Sequence, residues 1–510
     1  MTRTTRTTRN RLLSGGGAVL AAAVALAVAA APAQADAAPR GTTQVSVGLN
    51  GTAPDDQAWS KGLSANGRYA LFTSWAQNLV SQPSKSRNDA FVRDLRTGRT
   101  ERVNLADDGS ALDGSTDYVA INGNGRFVAF ESDAPNVASG AQVPGREELY
   151  VRDRKTGRTE LISRSLAGAT PDTDKYHSSY APSISADGRW VAFVSSRKDL
   201  VPETAEPEPE SEPTPSLTRP YTWKYNVYLT DRRTGTTRLV SHDLDGKPGE
   251  SLSLHPTISA DGRTIGFSSL SALLPHEDPQ EPAAADVDLA PGAAAPLPAG
   301  QQSLTSHPTI AHYYTYDAAT GKLSAASLNP DGTFALAGFD ATISPDGRRA
   351  VYALPEPGGS TGGHHYHLVL HVRDLRTGAV TRVSGGLPGT SSIRSSGDPS
   401  ITADNRWLYF DSAADNLVPG PQHPGWDVYR QDLRTGLTER VATTPNGSPG
   451  NGSSQTPFVD ASGRTVLFGS TSTDLLAGAA APAGDSSQVF AKATGRHQGD
   501  GDDQGEDQDD

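Results

Sequence analysis

Cysteine does not occur anywhere in the 510-residue chain. Its absence excludes a disulfide framework, a thiolate metal site and a cysteine nucleophile. Positive charge is also scarce, because 45 Lys and Arg stand against 58 Asp and Glu and leave a formal net charge of −13 at pH 7. Nucleic-acid binding needs a basic face that neutralises phosphates, so we expect no nucleic-acid partner.

Long apolar runs are missing beyond residue 31. Four arginines fall within the first 11 residues, an Ala-, Val- and Leu-rich run fills residues 18–31, and Ala33, Gln34 and Ala35 form a small-x-small cleavage site. This is the pattern of a secretory signal peptide. The run is too short for a membrane span, which needs about 20 apolar residues. We therefore predict that residues 1–35 are a removable leader, that no membrane span remains after its removal, and that the protein is secreted and extracytoplasmic.

One turn phrase recurs seven times, and an apolar run follows it each time. Ser185 to Arg189, with the sequence Ser-Ala-Asp-Gly-Arg, typifies the phrase. Its last residue is one of the arginines Arg68, Arg126, Arg189, Arg263, Arg348, Arg406 and Arg464. A second phrase, which ends in Thr-Gly, follows each at Gly98, Gly157, Gly235, Gly321, Gly378, Gly436 and Gly495. Because Asp-Gly and Asn-Gly supply the positive φ of two-residue hairpins, we predict a tight turn between strands at each phrase.

Each repeat is predicted to contain four strands, A to D. Strand B, for example Trp190–Val194, is apolar on both faces, as expected where it lies between neighbouring sheets. Strand D, for example Thr236–Val240, is mixed, which suits an outer edge. Four strands with this gradient, repeated radially, form propeller blades. The predicted fold class is therefore all-β, a seven-bladed β-propeller of four-stranded blades that occupies residues 36–496.

The ends of the repeat region predict how the ring closes. The seventh repeat has strands A, B and C, but the acidic residues 497–510 follow in place of a strand D. An orphan strand, Thr43–Gly48, precedes the first repeat and is similar to the D strands. We predict that it completes blade seven and leaves no inner edge unpaired. Residues 497–510 are predicted to be a disordered acidic tail.

The turn phrase resembles the PD40 repeat, a WD40-like repeat of the TolB-like family. That repeat carries Ser-Pro-Asp-Gly followed by Arg or Lys and an apolar strand, and Ser344–Arg348 with Ala350–Tyr352 is similar to it. The resemblance implies a propeller in an exported bacterial protein, here of actinobacterial composition. TolB-like proteins combine an α/β domain with six blades, and similar propellers gate prolyl-oligopeptidase and tricorn proteases. We expect neither an α/β nor a hydrolase domain beside these repeats, and neither activity.

Charges that recur in the repeats are predicted to be structural. An Asp precedes six of the second turns, and the start of strand B neighbours the end of strand C, so each Arg can reach the Asp of its own blade. A catalytic group is needed once, whereas these residues recur. The predicted pairs are Arg68 with Asp94, Arg126 with Asp153, Arg189 with Asp231, Arg263 with Asp317, Arg348 with Asp374, and Arg406 with Asp432.

Two B–C loops are much longer than the others. Residues 201–220 are rich in Glu and Pro, and residues 271–308 are rich in Ala and Pro. In a propeller the B–C and D–A loops emerge on the same face, opposite the short turns. Binding sites are commonly placed on variable loops of a rigid scaffold, so we place the candidate site on this face. Both insertions fit solvated loop filler as well as they fit a lid.

Aligned A strands identify unrepeated residues at the mouth of the central channel. Two Asp, a His and several aromatic residues at one mouth suit a polar ligand or a cation. The ligand-binding candidates are Trp59, Tyr118, Tyr180, His255, Asp340 and Asp398. The densest histidine group offers His364, His365 and His367 as candidate metal ligands. A loop tip rich in Gly and His is more often a solvated segment than a metal site.

The sequence shows no unrepeated set of acid, base and nucleophile with a convincing spacing. We therefore expect a monomeric binding scaffold for a protein, peptide or glycan, with no catalysis and no cofactor. The alternative is a polysaccharide lyase or hydrolase, metal-dependent or not, whose site lies at the channel mouth. A purely structural envelope protein is a third interpretation.

Overall fold

Seven antiparallel sheets stand in a ring, and the first strand of each lies closest to the central channel. The computed structural model describes residues 41–138, 143–202, 224–275, 310–361, 364–387, 390, 394–476 and 486–495. Side chains are described for all of these residues except 310 and those from 358 to 366. The predicted fold class is confirmed: the protein is an all-β, seven-bladed propeller.

Each blade pairs its strands in the order A-B-C-D from the channel outward. The A strands are Ala58–Leu63, Val119–Ile121, Ser179–Ile184, Ser253–Ile258, Thr342–Ile343, Ser396–Ile401 and Ser454–Val459. The B strands are Tyr69–Ser74, Phe127–Ser132, Trp190–Ser195, Thr264–Ser269, Arg349–Thr361, Trp407–Ser412 and Thr465–Ser470. The C strands are Asp89–Asp94, Glu148–Asp153, Asn226–Asp231, Ile310–Asp317, His364–Asp374, Asp427–Asp432 and Gln488–Ala493. The D strands are Thr42–Gln44, which belongs to blade seven, and Thr100–Arg102, Arg158–Leu161, Thr236–Leu239, Leu323–Ala325, Val380–Arg382 and Thr438–Arg440.

Two short elements complete the secondary structure of the described ranges. Ala337–Gly338 pairs with the beginning of strand C in blade 4. Leu49–Gly51 forms a single 3₁₀ turn ahead of blade 1. In those ranges no helix has the length and apolarity needed to span a bilayer.

Aromatic side chains on strands B and C form the core of the blades. In blade 1 the rings of Phe72 and Phe91 stack with centroids 5.6 Å apart, and both side chains are fully buried. The same stacked pair recurs in blade 2, where Phe130 meets Tyr150 at 5.6 Å. Strand B is apolar on both faces because each face packs against a neighbouring sheet, so these rings lose their contact with water and stabilise the ring of blades.

The first-turn glycines have two structural roles. Gly125 has a φ of 75°, and a Cβ atom at this position would lie 2.2 Å from Tyr69 Cδ2 of the preceding blade. Gly188 has the same φ, and its Cβ would lie 2.3 Å from Phe127 Cδ2. Glycine is therefore required both by the turn, which needs positive φ, and by the close contact between blades.

The N-terminal strand closes the ring as predicted. Thr43 pairs with Ala491, and Gln44 pairs with Phe490, in the antiparallel sheet of blade seven. The regular strand ends at Gln44, but contact continues because Val45 donates its N–H to the carbonyl oxygen of Val489 at 2.7 Å. The ends of the ring are thus joined by strand pairing within one blade.

A third repeated turn, which the sequence analysis did not identify, lies in the D–A loops. Each of the seven D–A loops contains a described glycine with φ between 79° and 87°: Gly51, Gly109, Gly168, Gly246, Gly332, Gly386 and Gly447. The turns tie consecutive blades together, since Asp107 donates its N–H to Val137 O of the next B–C loop at 2.9 Å. The loop-bearing face therefore has its own regular framework around the unrepeated residues.

Several predicted segments fall outside the described residues. These are the leader at 1–35, residues 203–220 of the first insertion, residues 276–308 of the second insertion, and the acidic tail at 497–510.

Candidate functional site

The predicted mouth residues lie on the A strands or, for Tyr118 and Asp340, just ahead of them, and four of these strands share an unusual backbone. Ala181, His255, Asp398 and Thr456 have φ between 44° and 55°, and each precedes a proline. A β-bulge occurs at this point in all four strands. Positive φ is uncommon outside glycine, and for the β-branched Thr456 it is strained. The fold thus fixes the backbone at this position while the side chain varies from blade to blade.

Asp340 and Asp398 lie close to a third carboxyl group, Asp411, and we call these three residues the acid cluster. A Cβ atom on Gly397 would lie 3.4 Å from Asp340 Oδ2 and 3.6 Å from Asp411 Oδ1. Asp398 and Asp411 are hydrogen-bonded through their carboxyl groups. Asp411 also accepts the N–H of Thr456 at 3.0 Å, so the acid cluster links blade 6 to blade 7.

The acid cluster cannot be fully ionised at neutral pH. Burial, together with the charge of Asp398, raises the pKa of Asp340 to about 7. Burial and the charge of Asp398 also raise the pKa of Asp411 well above its ordinary value. Because Asp398 and Asp411 share a hydrogen bond, one of the two carboxyl groups must carry the proton. The cluster can therefore bind and release protons near neutral pH.

A lysine from blade 1 lies between acids of other blades. Lys61 is half-buried and sits at the bulge of its A strand. Burial lowers the pKa of Lys61, and the carboxylates of Asp117, Glu131 and Asp398 oppose this effect. Since these acids belong to blades 2 and 6, the ammonium group lies within the channel.

Glu131 fixes the inner strand of blade 2. Its carboxylate is buried and accepts the backbone N–H groups of Asp117 at 2.6 Å and Tyr118 at 2.7 Å. Burial nevertheless raises the pKa of Glu131 well above its ordinary value. Glu131 therefore positions Tyr118, one of the predicted ligand-binding residues, and adds a further acid to the channel lining.

Three tyrosines form a continuous aromatic surface, the tyrosine row. The rings of Tyr118 and Tyr180 are 5.5 Å apart, and those of Tyr180 and Tyr225 are 5.3 Å apart in an edge-to-face arrangement. A pocket of about 420 Å³, the tyrosine pocket, opens beside Tyr225. It is lined by Asp133, Gly145, Glu147, Lys175, Tyr176, Ser178, Tyr225 and Leu252. These residues come from B–C and D–A loops of blades 2 to 4, so the pocket lies on the predicted face.

The other two predicted residues have separate aromatic partners. Trp59 meets Trp75 edge-to-face at 5.0 Å, and the guanidinium of Arg87 lies 4.2 Å from the centre of the Trp75 ring. The ring centroids of His255 and Phe339 lie 5.7 Å apart. His255 reaches solvent, but desolvation by the surrounding protein lowers its pKa.

The repeated Arg and Asp residues meet in four blades. Arg68 reaches Asp94, and Arg126 reaches Asp153, at 2.6 Å. The corresponding distances are 2.7 Å from Arg189 to Asp231 and 3.1 Å from Arg406 to Asp432. The first three arginine side chains are 35–40% exposed, so these pairs lie at the surface and not in a buried position between blades.

Blades 4 and 5 depart from this pairing. In the described part of the chain, no ion pair within 4 Å joins Arg263 to Asp317 or Arg348 to Asp374. Asp317 accepts backbone N–H groups at its turn, including that of Thr320 at 2.9 Å, and Asp374 likewise accepts that of Thr377 at 2.8 Å. The Asp that precedes the second turn therefore caps that turn even without an arginine partner.

The pairs that form also hold aromatic rings of strand B. The guanidinium of Arg68 lies 4.9 Å from the centre of the Tyr69 ring, and that of Arg154, from the next blade, lies 4.6 Å from it. Arg126 and Arg232 enclose Phe127 in the same way, at 4.7 and 4.3 Å. Cation–π contacts therefore reinforce the junctions between blades 1, 2 and 3.

The candidate metal ligands are only partly described. The side chains of His364 and His365 lie outside the described residues, whereas His367 is buried on strand C of blade 5, opposite Glu356. Among the described residues, no group of three or more His, Asp or Glu is placed to hold a metal ion. The histidine site therefore remains a sequence prediction.

Sequence reasoning missed Lys61, Glu131, Asp411, Glu147 and Tyr225. Two of these had a readable signal, because Glu131 and Asp411 are acids at the fifth position of B strands that are otherwise apolar. A second signal is positional, since Glu147 and Tyr225 each directly precede strand C in adjacent blades. Unrepeated residues at the fifth position of strand B or directly before strand C therefore belong to the acid groups of the channel or to the tyrosine pocket.

Comparison with known proteins finds a likeness in fold alone. No protein-family profile matches the chain, and no curated protein matches it in sequence. Similar solved structures include the β-propeller domain of the trilobed protease from Pyrococcus furiosus, with 12% identity, 81% of this chain and 89% of that chain covered, and a TM-score of 0.43. An acylaminoacyl peptidase from Pyrococcus horikoshii has 13% identity, 81% and 49% coverage and a TM-score of 0.43, so the match spans about half of the peptidase. A putative TolB from Agrobacterium tumefaciens has 13% identity, 84% and 99% coverage and a TM-score of 0.35.

Proposed function

We propose that this protein is an exported scaffold that binds a protein, peptide or glycan segment at the loop-bearing face of its propeller. The observation that carries the proposal is the tyrosine row, Tyr118, Tyr180 and Tyr225, beside a pocket of about 420 Å³. Tyrosine gives a large contact area at low entropic cost and a hydroxyl for orientation, which is why it is common at binding surfaces. The volume lies within the range of about 300–1,000 Å³ that is usual for ligand sites.

Export is part of the proposal and is supported by the leader pattern of residues 1–35. N-terminal sequencing of protein recovered from the culture medium should begin at Asp36. Recovery of the full-length chain from the cytoplasm alone would contradict export.

Peptide and glycan arrays probed with the purified protein test the binding role. We expect ligands of one class to bind wild type, and Tyr180→Ala to lose at least about tenfold in affinity, as expected for a central aromatic contact. Arg189→Ala, on the opposite face, is the matched control and should bind as wild type does. Urea midpoints show that each variant is folded. Binding that survives Tyr180→Ala, or an absence of ligands on both arrays, would contradict the proposal.

A second candidate function, a polysaccharide lyase or hydrolase, is favoured by one observation. Asp340 has a pKa of about 7 and lies beside the hydrogen-bonded pair Asp398 and Asp411. A carboxyl group that titrates near 7 can act as a general acid at neutral pH, and glycosidases use such an acid together with a second carboxyl group on the other side of the scissile bond. Release of reducing ends or unsaturated products from a polysaccharide panel, lost in Asp340→Asn, would support catalysis. Identical products from wild type and Asp340→Asn would reject it.

A further inference from the structure

Two tyrosines line the tyrosine pocket, and the ring of one of them already contacts a cation. Tyr176 is 59% exposed, and the ammonium nitrogen of Lys175 already lies 4.9 Å from the centre of its ring. Tyr225 belongs both to the pocket lining and to the tyrosine row, where it meets Tyr180. A positively charged group that entered here would find tyrosine rings beside it, and cation–π attraction stabilises such contacts by about 0.5–2 kcal/mol.

Two carboxylates line the same pocket and repel each other. Glu147 and Asp133 both line it and are both exposed to solvent. Although Glu147 reaches solvent, desolvation by the protein around the pocket raises its pKa, the negative charges of Asp133 and Asp117 raise it further, and a hydrogen bond from Ser178 opposes them. Lys175 adds one positive charge to the same lining, so the carboxylates are only partly neutralised, and a cationic ligand would relieve the remaining repulsion whereas a neutral ligand would not. The negative charge of the pocket therefore favours cationic ligands over neutral ligands that the tyrosine rings alone would also bind.

We propose that the tyrosine pocket binds the cationic side chain of a peptide, Lys or Arg, between Tyr225, Tyr176 and Glu147. This inference rests on the proposed binding function and narrows it to basic peptide segments. The pocket of about 420 Å³ has room for such a side chain and part of its backbone. The net charge of −13 would also attract a basic segment at a distance.

Calorimetric titration with capped tripeptides tests the proposal. The probes are acetyl-Gly-Arg-Gly-amide, the same peptide with Lys, and the same peptide with Gln as the neutral control of similar size. We expect the Arg and Lys peptides to bind at least about tenfold more tightly than the Gln peptide, because they alone gain the charge-assisted contacts. Their affinity should fall as salt is raised, since part of the attraction is screened.

Two substitutions locate the site. Glu147→Gln should lower the affinity for the Arg peptide by at least about fivefold and bring it close to the affinity for the Gln peptide. Asp415→Asn removes an exposed carboxylate from the B–C loop of blade 6 on the same face and should leave affinity unchanged. Tyr225→Phe keeps the ring and should retain binding, whereas Tyr225→Ala should lose it. An unchanged urea midpoint shows that each variant is folded.

The possible failures can be told apart. Equal affinity for the Arg and Gln peptides, no heat with either charged peptide at about 10 mM, or unchanged binding in Glu147→Gln would overturn this inference. If a glycan or a neutral peptide then bound in a Tyr180-dependent manner, the proposed function would stand without it. If no array ligand depended on Tyr180, the proposed function would fail as well.

Discussion

On the turn face of the ring, the side chains of Arg126 and Asp153 meet at 2.6 Å, so opposite charges neutralise one another. At the channel, by contrast, two acids, Asp398 and Asp411, are hydrogen-bonded to each other. The first arrangement recurs in other blades and the second does not. Repeated, neutralised charges stabilise a fold, while unrepeated like charges cost stability and persist where they serve a ligand or a reaction. The difference between the two faces therefore favours a structural role for the repeated pairs and is the reason that we propose the site on the unrepeated face.

The largest effect is expected from a glycine at a junction between blades. Gly125→Ala places a Cβ where Tyr69 already lies and forces alanine into positive φ. Both terms destabilise, and together they should lower the free energy of unfolding by about 3 kcal/mol. Urea unfolding monitored by circular dichroism measures the change.

The matched control for this substitution lies on the loop-bearing face. Gly109→Ala also has positive φ, at 84°, but no atom lies within 4 Å of the added Cβ. It should cost only about 1 kcal/mol, the backbone term alone. Equal losses in Gly109→Ala and Gly125→Ala would show that the contact with Tyr69 does not matter.

The second effect is a pH dependence that comes from the acid cluster. The pKa of Asp340 is raised to about 7, so between about pH 4 and pH 7 the folded protein keeps a proton that the unfolded chain has lost. This contribution to stability is complete below pH 4 and is lost as the pH rises through 7. Relative to wild type, Asp340→Asn should therefore gain about 2 kcal/mol between pH 4 and pH 8, about half of the full linkage free energy, because Asp340 is only half-buried and solvent screens its charge. Urea midpoints across this range test the expectation, and a constant difference would contradict it.

The turn face should show the opposite sign. A hydrogen bond from Arg126 lowers the pKa of Asp153 to about 2. Its contribution to stability is present above the unfolded pKa of about 4 and is lost as the pH falls toward 2. Asp153→Asn should therefore differ from wild type at neutral pH and converge with it in acid. A difference that grew in acid would show that the two faces do not treat charge differently.

The smallest effect is expected from a surface ion pair. Arg189→Ala removes the pair with Asp231 and a contact 4.7 Å from the centre of the Trp190 ring, but the arginine is 38% exposed. We expect only a small loss of stability by urea unfolding, smaller than that of Gly109→Ala, because solvent screens an exposed pair. Arg263→Ala, where the described structure shows no ion pair with Asp317, should lose less. A larger loss in Arg263→Ala would reject the role of the pairs.

The architecture could be predicted from sequence because its signals are local. The Asp-Gly turn of Ser185–Arg189 specifies a hairpin by backbone conformation alone, and Thr43 could be assigned to blade seven because only one blade lacked an outer strand. The third turn around Gly109 carries a similar signal and was nevertheless missed, since Asp or Asn directly precedes the positive-φ glycine in five of these loops, at Asn50, Asp108, Asp245, Asp331 and Asn446.

The site was only partly predictable because it depends on contacts between blades. Asp340 and Asp398 were found by aligning A strands, but Asp411 comes from strand B and joins them only through the bulge at Gly397. Glu147 meets the tyrosine row across the junction of blades 2 and 3, which no spacing within one repeat reveals. Long-range pairing of this kind requires the folded ring.

Hydrogen–deuterium exchange with and without the tightest array ligand tests the central claim most directly. We expect slower exchange on ligand binding around Glu147, Tyr180 and Tyr225, with the turns at Arg126 and Arg189 unchanged. Protection confined to those turns, with the tyrosine row unaffected, would contradict the assignment of function to the unrepeated face.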